Sequence, residues 1–166
     1  VKTMAGTQLA WSPTTGGKAI EGEVITLPDV KNSQAFQAWL PTVKGKYVLV
    51  SMPQPTGRPD HNWEEFGRPE SVERMKKERD SLTEAWNRKI QAMGISSNSL
   101  PRILEEAGAA GILQCYWSRE FGSNKIFGAR TTIVPSLDIS LEDYGILYRL
   151  AENGHKPRIQ VETDSK

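Results

Sequence analysis

The stretch LEEAGAAGILQCYWSREFGSNKIFGARTTIVPSLD, residues 104–138, decides the fold. It opens on a helix end. Gly108, Ala109, Ala110 and Gly111 follow where a helix must stop and a strand must pack close, because glycine accepts positive φ and close backbone approach at little steric cost. Ile112, Leu113, Cys115, Tyr116 and Trp117 form a nearly continuous apolar run. Such a run suits a strand covered on both faces, which belongs in the centre of a sheet. After a glycine-bearing loop, Ile133-Val134-Pro135-Ser136-Leu137-Asp138-Ile139 reads as a second strand. Pro135 cannot donate to a ladder, so an edge or a bulge is expected there.

Upstream, Ser99 is expected to cap the helix that carries Ile103, Leu104 and Ala107. A longer helix precedes it. Pro69 suits its first position, Val72, Met75, Leu82, Trp86, Ile90 and Met93 recur at spacings of three, four and seven, and Gly94 stops it. Its other face carries Glu73, Lys76, Lys77, Glu78, Arg79, Asp80 and Lys89, read as solvated charge. Residues 52–69 are crowded with proline and glycine and read as a loop anchored by Trp63 and Phe66. Earlier still, Tyr47 to Ser51 is an apolar strand, residues 33–40 form a short helical turn ended by Pro41, and residues 19–27 alternate as a half-buried strand. Residues 1–18 read as an edge strand or extended arm.

Downstream, Ser140-Leu141-Glu142-Asp143 fits an acidic capping box, and Tyr144, Leu147, Tyr148 and Ala151 continue an apolar face to Asn153-Gly154. Residues 157–162 alternate as a last strand.

The chain of 166 residues is long enough for a core without staples. Twenty-one basic against 20 acidic side chains leave a net charge of +1, so no global field favours nucleic acid or an anionic membrane. No apolar run is long enough to span a bilayer, and the first residues lack the apolar stretch of a signal peptide. The single cysteine, Cys115, lies in the central apolar run and reads as a small buried hydrophobe.

The catalytic inventory is thin. The chain lacks a G-x-S-x-G elbow, a P-loop, G-x-G-x-x-G, H-E-x-x-H and paired C-x-x-C. Asp60-His61 with Glu64 and Glu65 would suit a divalent metal if that segment were helical, against a simpler reading as solvated loop. The loop after Trp117 carries more weight. Arg119, Asn124, Lys125 and Arg130 bring donors together with Trp117, Phe121 and Phe127, and aromatic and arginine enrichment is what interface cores use. The competing reading has the aromatics filling the end of the core. Trp117, Arg119, Asn124, Lys125, Phe127 and Arg130 are therefore the candidate substrate or interdomain contact residues, with no catalytic and no metal-binding residue assigned.

Three segments in order, Lys44-Gly45-Lys46 with the strand after it, Ala107-Gly108-Ala109-Ala110-Gly111 with its strand, and Val134-Pro135-Ser136 with strand and helix, resemble the protease-associated domain. The wording of residues 124–132 and 142–154 is similar to the version inserted in bacterial di-zinc exopeptidases related to glutamate carboxypeptidase and the transferrin receptor. The resemblance covers residues 18–164. It implies a mixed α+β chain with the swivelling β/β/α fold of that family, a small β-sandwich or open β-barrel flanked by helices, with a core of residues 18–56 and 98–164 and an additional helical insertion at 57–97. It implies one accessory domain that performs no catalysis, helps cover the substrate cleft, and works in a secreted or periplasmic protein. Zinc would sit in a catalytic domain absent from this chain, which itself holds no cofactor. The expected partners are that catalytic peptidase domain and a peptide substrate, with no nucleic acid and no membrane span. Two other functions compete: a free-standing peptide- or glycan-binding module, and a hydrolase using His61 or His155.

Overall fold

A computed structural model describes residues 1–116 and 126–164. Its strands are β1 (Gly6–Gln8), β2 (Ile20–Thr26), β3 (Tyr47–Leu49), β4 (Gly111–Gln114), β5 (Ser136–Ile139) and β6 (Arg158–Val161). They form one six-stranded mixed sheet in the order β1-β5-β4-β3-β2-β6. The four inner strands are mutually parallel, while β1 on β5 and β6 on β2 are antiparallel. The sheet curls into a half-barrel, an open barrel flanked by helices. Those helices are α1 (Ser33–Trp39), α2 (Asp60–Phe66), α3 (Pro69–Ala92), α4 (Leu100–Glu106) and α5 (Leu141–Glu152).

Side chains alternate across a strand, so the central strands feed two separate cores. Val48 and Ile112 face a cluster built with Leu27, Phe36, Ile90, Met93 and Leu104, which come from α1, the end of α3, α4 and a loop. Tyr47, Leu49, Leu113, Cys115, Leu137 and Ile139 face the opposite cluster, closed by Tyr144 and Leu147 of α5. All four residues of β4 are buried, as the start of the apolar run predicts, but the strand ends at Gln114 and Tyr116, expected within it, is exposed.

Glycines at 108 and 111 do what the sequence asks of them. Gly108 takes φ +90° at the end of α4, and its carbonyl accepts the Gly45 N–H at 2.9 Å. A Cβ on Gly111 would lie 2.7 Å from Tyr47 Cε1, so only glycine lets β4 pass the Tyr47 ring. Tyr47 donates its hydroxyl to the Ile20 carbonyl at 3.0 Å, and burial pushes its pKa up to about 12. The capping expectation for α5 holds, with Ser140 Oγ accepting the Asp143 N–H at 3.3 Å. The Asp143 carboxylate turns instead to the Ala5 N–H at 2.8 Å and to Lys2, which fasten the first residues to this helix end. Those donors hold Asp143 below the usual carboxylate range, Lys2 contributing most.

Several expectations are corrected. Pro135 precedes β5 rather than interrupting it, and its carbonyl accepts the Ile112 N–H at 2.9 Å, so β5 is an inner strand. Pro41 does not end the turn after α1, because the chain continues through a 3₁₀ turn, Leu40–Val43, with proline in its first positions. Ser99 stands before α4 in a helical conformation and bonds Ser96 instead of capping. Residues 60–66, read as loop, are the helix α2. Phe66 is exposed, whereas Trp63 is partly buried with the Arg58 guanidinium 4.7 Å from its ring centroid. Arg79 leaves the solvated face of α3: it is buried and donates to Asp60 Oδ1 at 2.7 Å, tying α3 to α2.

Candidate functional site

A cleft of about 310 Å³ opens at the carboxyl ends of β3 and β4. Parallel strands present ligand sites at this end, where the connections diverge from the sheet edge. Gln114 and Cys115 line its buried part, and Trp86 and Pro101 supply apolar wall from α3 and α4. Ser97, Asn98, Tyr116 and Arg130 are exposed and form its rim. A larger hollow of about 590 Å³ lies against α3, but its described lining is five charged side chains of that one helix, which cannot enclose a ligand.

Gln114 is 4% exposed, and its Nε2 has no hydrogen-bond partner. Gln54, a half-buried residue of the same cleft lining, has its Oε1 buried and unpaired. Asp138 is the register partner of Gln114 and bonds elsewhere, its Oδ1 accepting the Tyr116 N–H at 2.8 Å. Burial pushes Asp138 above the usual carboxylate range, against the pull of that N–H.

Ser51 fixes the strand ends beneath the cleft. The Tyr144 hydroxyl reaches from α5 to donate to the Ser51 carbonyl at 2.7 Å and accept the Ser51 N–H at 2.8 Å. Ser51 Oγ in turn accepts the Cys115 N–H at 3.1 Å, which locks β3 to β4 just past their ladder. Burial raises the Tyr144 pKa well above the usual tyrosine value, so this hydroxyl keeps its proton at physiological pH.

The segment that carries Arg130 is held by Glu105. Its buried carboxylate accepts N–H bonds at Oε2 from Thr132, Ile133 and Val134 at 2.9, 2.7 and 3.0 Å, and the Thr132 hydroxyl at Oε1 at 3.1 Å. Burial works to raise this carboxyl, and the convergent donors outweigh it, leaving the pKa below the ordinary value.

Of the six candidate contact residues, Phe127 and Arg130 are described, and Trp117, Arg119, Asn124 and Lys125 lie outside the described residues. Phe127 and Arg130 are both exposed and part company. Arg130 lines the cleft, whereas Phe127 packs on Trp11 with ring centroids 5.7 Å apart. Trp11 is 82% exposed and holds φ +63°, a left-handed backbone that costs a tryptophan about 1–2 kcal/mol. With Phe127 at 65% exposure, the pair forms an aromatic surface that solvent alone does not reward.

Residues 60–65 are helical, the condition set for a metal there. Asp60 pairs with Arg79, Glu64 pairs with Lys76 at 2.9 Å, and no group of three or more potential ligands occurs among the described residues. No helix among the described residues is long and apolar enough to cross a membrane.

Sequence reading missed Gln114, Gln54, Glu105 and the Tyr144–Ser51 clasp. Gln114 had a usable signal, since a lone amide inside a doubly buried strand must find a partner or lack one.

No protein-family model and no curated protein matches the sequence. Among solved structures, the fold is similar to an aminopeptidase from Aneurinibacillus sp. strain AM-1, at a TM-score of 0.50 and 14% identity over 95% of this chain. It is also similar to a peptidase M28 precursor from Shewanella amazonensis SB2B, at a TM-score of 0.53 and 12% identity over 97% of this chain. The match takes in 27% of the first structure and 31% of the second, so this chain spans less than a third of either.

Proposed function

We propose that this chain is a non-catalytic protease-associated domain of a zinc-dependent exopeptidase, placed against the catalytic domain so as to cover the substrate cleft or control access to it. One observation carries the reading: a fold similar to nearly the whole of this chain makes up a minor part of each of two larger peptidases. The exposed Trp11–Phe127 pair supports it, because exposed aromatics, one of them on a strained backbone, suit a surface that a further domain covers. In this reading residues 18–56 and 98–164 make the core, residues 57–97 are an added lid or brace, zinc resides in the catalytic domain, and the whole protein works outside the cytoplasm.

The test is hydrolysis. The purified chain, supplied with zinc, is expected to leave aminoacyl and peptidyl p-nitroanilides intact. Zinc-dependent, chelator-sensitive release of p-nitroaniline by the chain alone would sink the proposal.

A further inference from the structure

We propose that the cleft at the carboxyl ends of β3 and β4 binds the main-chain amide of a short peptide, with Gln114 Nε2 donating to its carbonyl and Gln54 Oε1 accepting from its N–H. This goes beyond the accessory reading, since it concerns binding by this chain alone. The ligand class follows from what the cleft leaves unpaired. Gln114 and Gln54 both line the cleft, and each carries one buried polar atom without a partner, a donor in the first and an acceptor in the second, which a turn of either side chain would present to the cleft. Proteins rarely leave such groups unsatisfied unless a ligand or water completes them. A carboxylate or phosphate offers only acceptors and would leave Gln54 Oε1 unpaired. An ammonium offers only donors and would leave Gln114 Nε2 unpaired. An amide offers both.

A sugar hydroxyl also offers both, and Arg130 decides between them. It stands at the rim with no ion-pair partner among the described residues, and no carboxylate is among the described lining residues. A peptide brings a terminal carboxylate to that guanidinium, which a neutral sugar cannot do. Trp86 and Pro101 provide apolar contact for an intervening side chain. Trp86, Ser97 and Asn98 belong to α3 and the turn after it, so this helix builds one wall of the site.

The experiment titrates the isotope-labelled chain with Ala-Phe-Ala, with its analogue carrying an ester in place of the Phe–Ala amide, and with maltose, following the side-chain NH2 signals of Gln114 and Gln54. Ala-Phe-Ala is expected to move both pairs saturably, and the ester to bind about tenfold more weakly, as loss of one well-made hydrogen bond gives. Gln114→Met, which keeps the shape and removes the unpaired donor, is expected to bind Ala-Phe-Ala about tenfold more weakly while its Tm stays level or rises. Gln54→Ala, changed in the loop after β3, should weaken binding similarly and serves if Gln114→Met fails to fold. No saturable shift with peptide up to about 10 mM, a concentration that would detect even millimolar affinity, overturns the proposal. So does equal binding of the ester, movement of both signals by maltose and not by peptide, or a lower Tm in Gln114→Met, which would show that the amide has a partner within the protein.

Discussion

Glu105→Gln is the sharpest test of how this domain holds its rim. In the native protein Oε2 takes three backbone N–H bonds and Oε1 takes the Thr132 hydroxyl. A glutamine can keep its oxygen on the three N–H groups and place its NH2 toward the Thr132 hydroxyl, which rotates to accept. The change therefore removes charge more than it removes contacts. Charge-assisted bonds are worth about 1 kcal/mol more than neutral ones, and exposure of Thr132 and Ile133 lets water recover part of that, so the expected loss is about 2 kcal/mol. For a chain of this size that is a fall in Tm of about 4–8 °C. Glu105→Ala, which abandons all the donors, should cost about 3–4 kcal/mol. The pH dependence has a definite sign. The folded pKa lies below the unfolded one, so the stabilisation is complete above the ordinary carboxylate range and disappears as pH falls through the folded value. Urea unfolding of both proteins from neutral to strongly acid pH should show the native advantage closing on the acid side, with faster amide exchange at residues 132–134 in the variant. A gap under about 0.5 kcal/mol at neutral pH, or one of constant size at every pH, would refute the role given to Glu105.

Tyr144→Phe leaves the Ser51 N–H and carbonyl without the hydroxyl, and should cost about 2 kcal/mol with faster exchange of the Ser51 amide by NMR. Gly111→Ala forces a methyl against the Tyr47 ring and should destabilise by about 1–3 kcal/mol or prevent folding, measured by thermal unfolding. Asp138→Asn keeps the acceptor for Tyr116 and removes a charge that burial disfavours. Because the folded pKa of Asp138 is raised, native stability falls as pH rises from the unfolded to the folded value, so the variant should gain Tm at neutral pH and lose that advantage in acid.

The sheet was legible wherever local chemistry and burial agree. Small residues at 108–111 required the turn and the close strand, and the apolar run after them required a central position; both are met in β4. The helix α3 was legible from its period and its Pro69 and Gly94 boundaries. What escaped depends on partners distant in sequence. Arg79 looks like any surface arginine until Asp60, 19 residues away, draws it inward. Pro135 looks like a ladder fault until its carbonyl is seen to start the β4–β5 pairing. The cleft escaped because its polar groups, Gln54 and Gln114, stand 60 residues apart in sequence, and neither belongs to a catalytic motif. Of the two candidate contact residues that are described, Arg130 lines that cleft and Phe127 does not.

The pairing pattern also constrains how the chain can be made. β1 closes against β5 and β2 against β6, so each partnership joins an early strand to one more than a hundred residues later. Neither outer pairing can form on the ribosome until most of the chain has emerged. In the interval, β2, β3 and β4 present an open parallel edge. A nascent chain of this topology depends on delay: premature pairing of that edge with another copy is the error its synthesis must outrun.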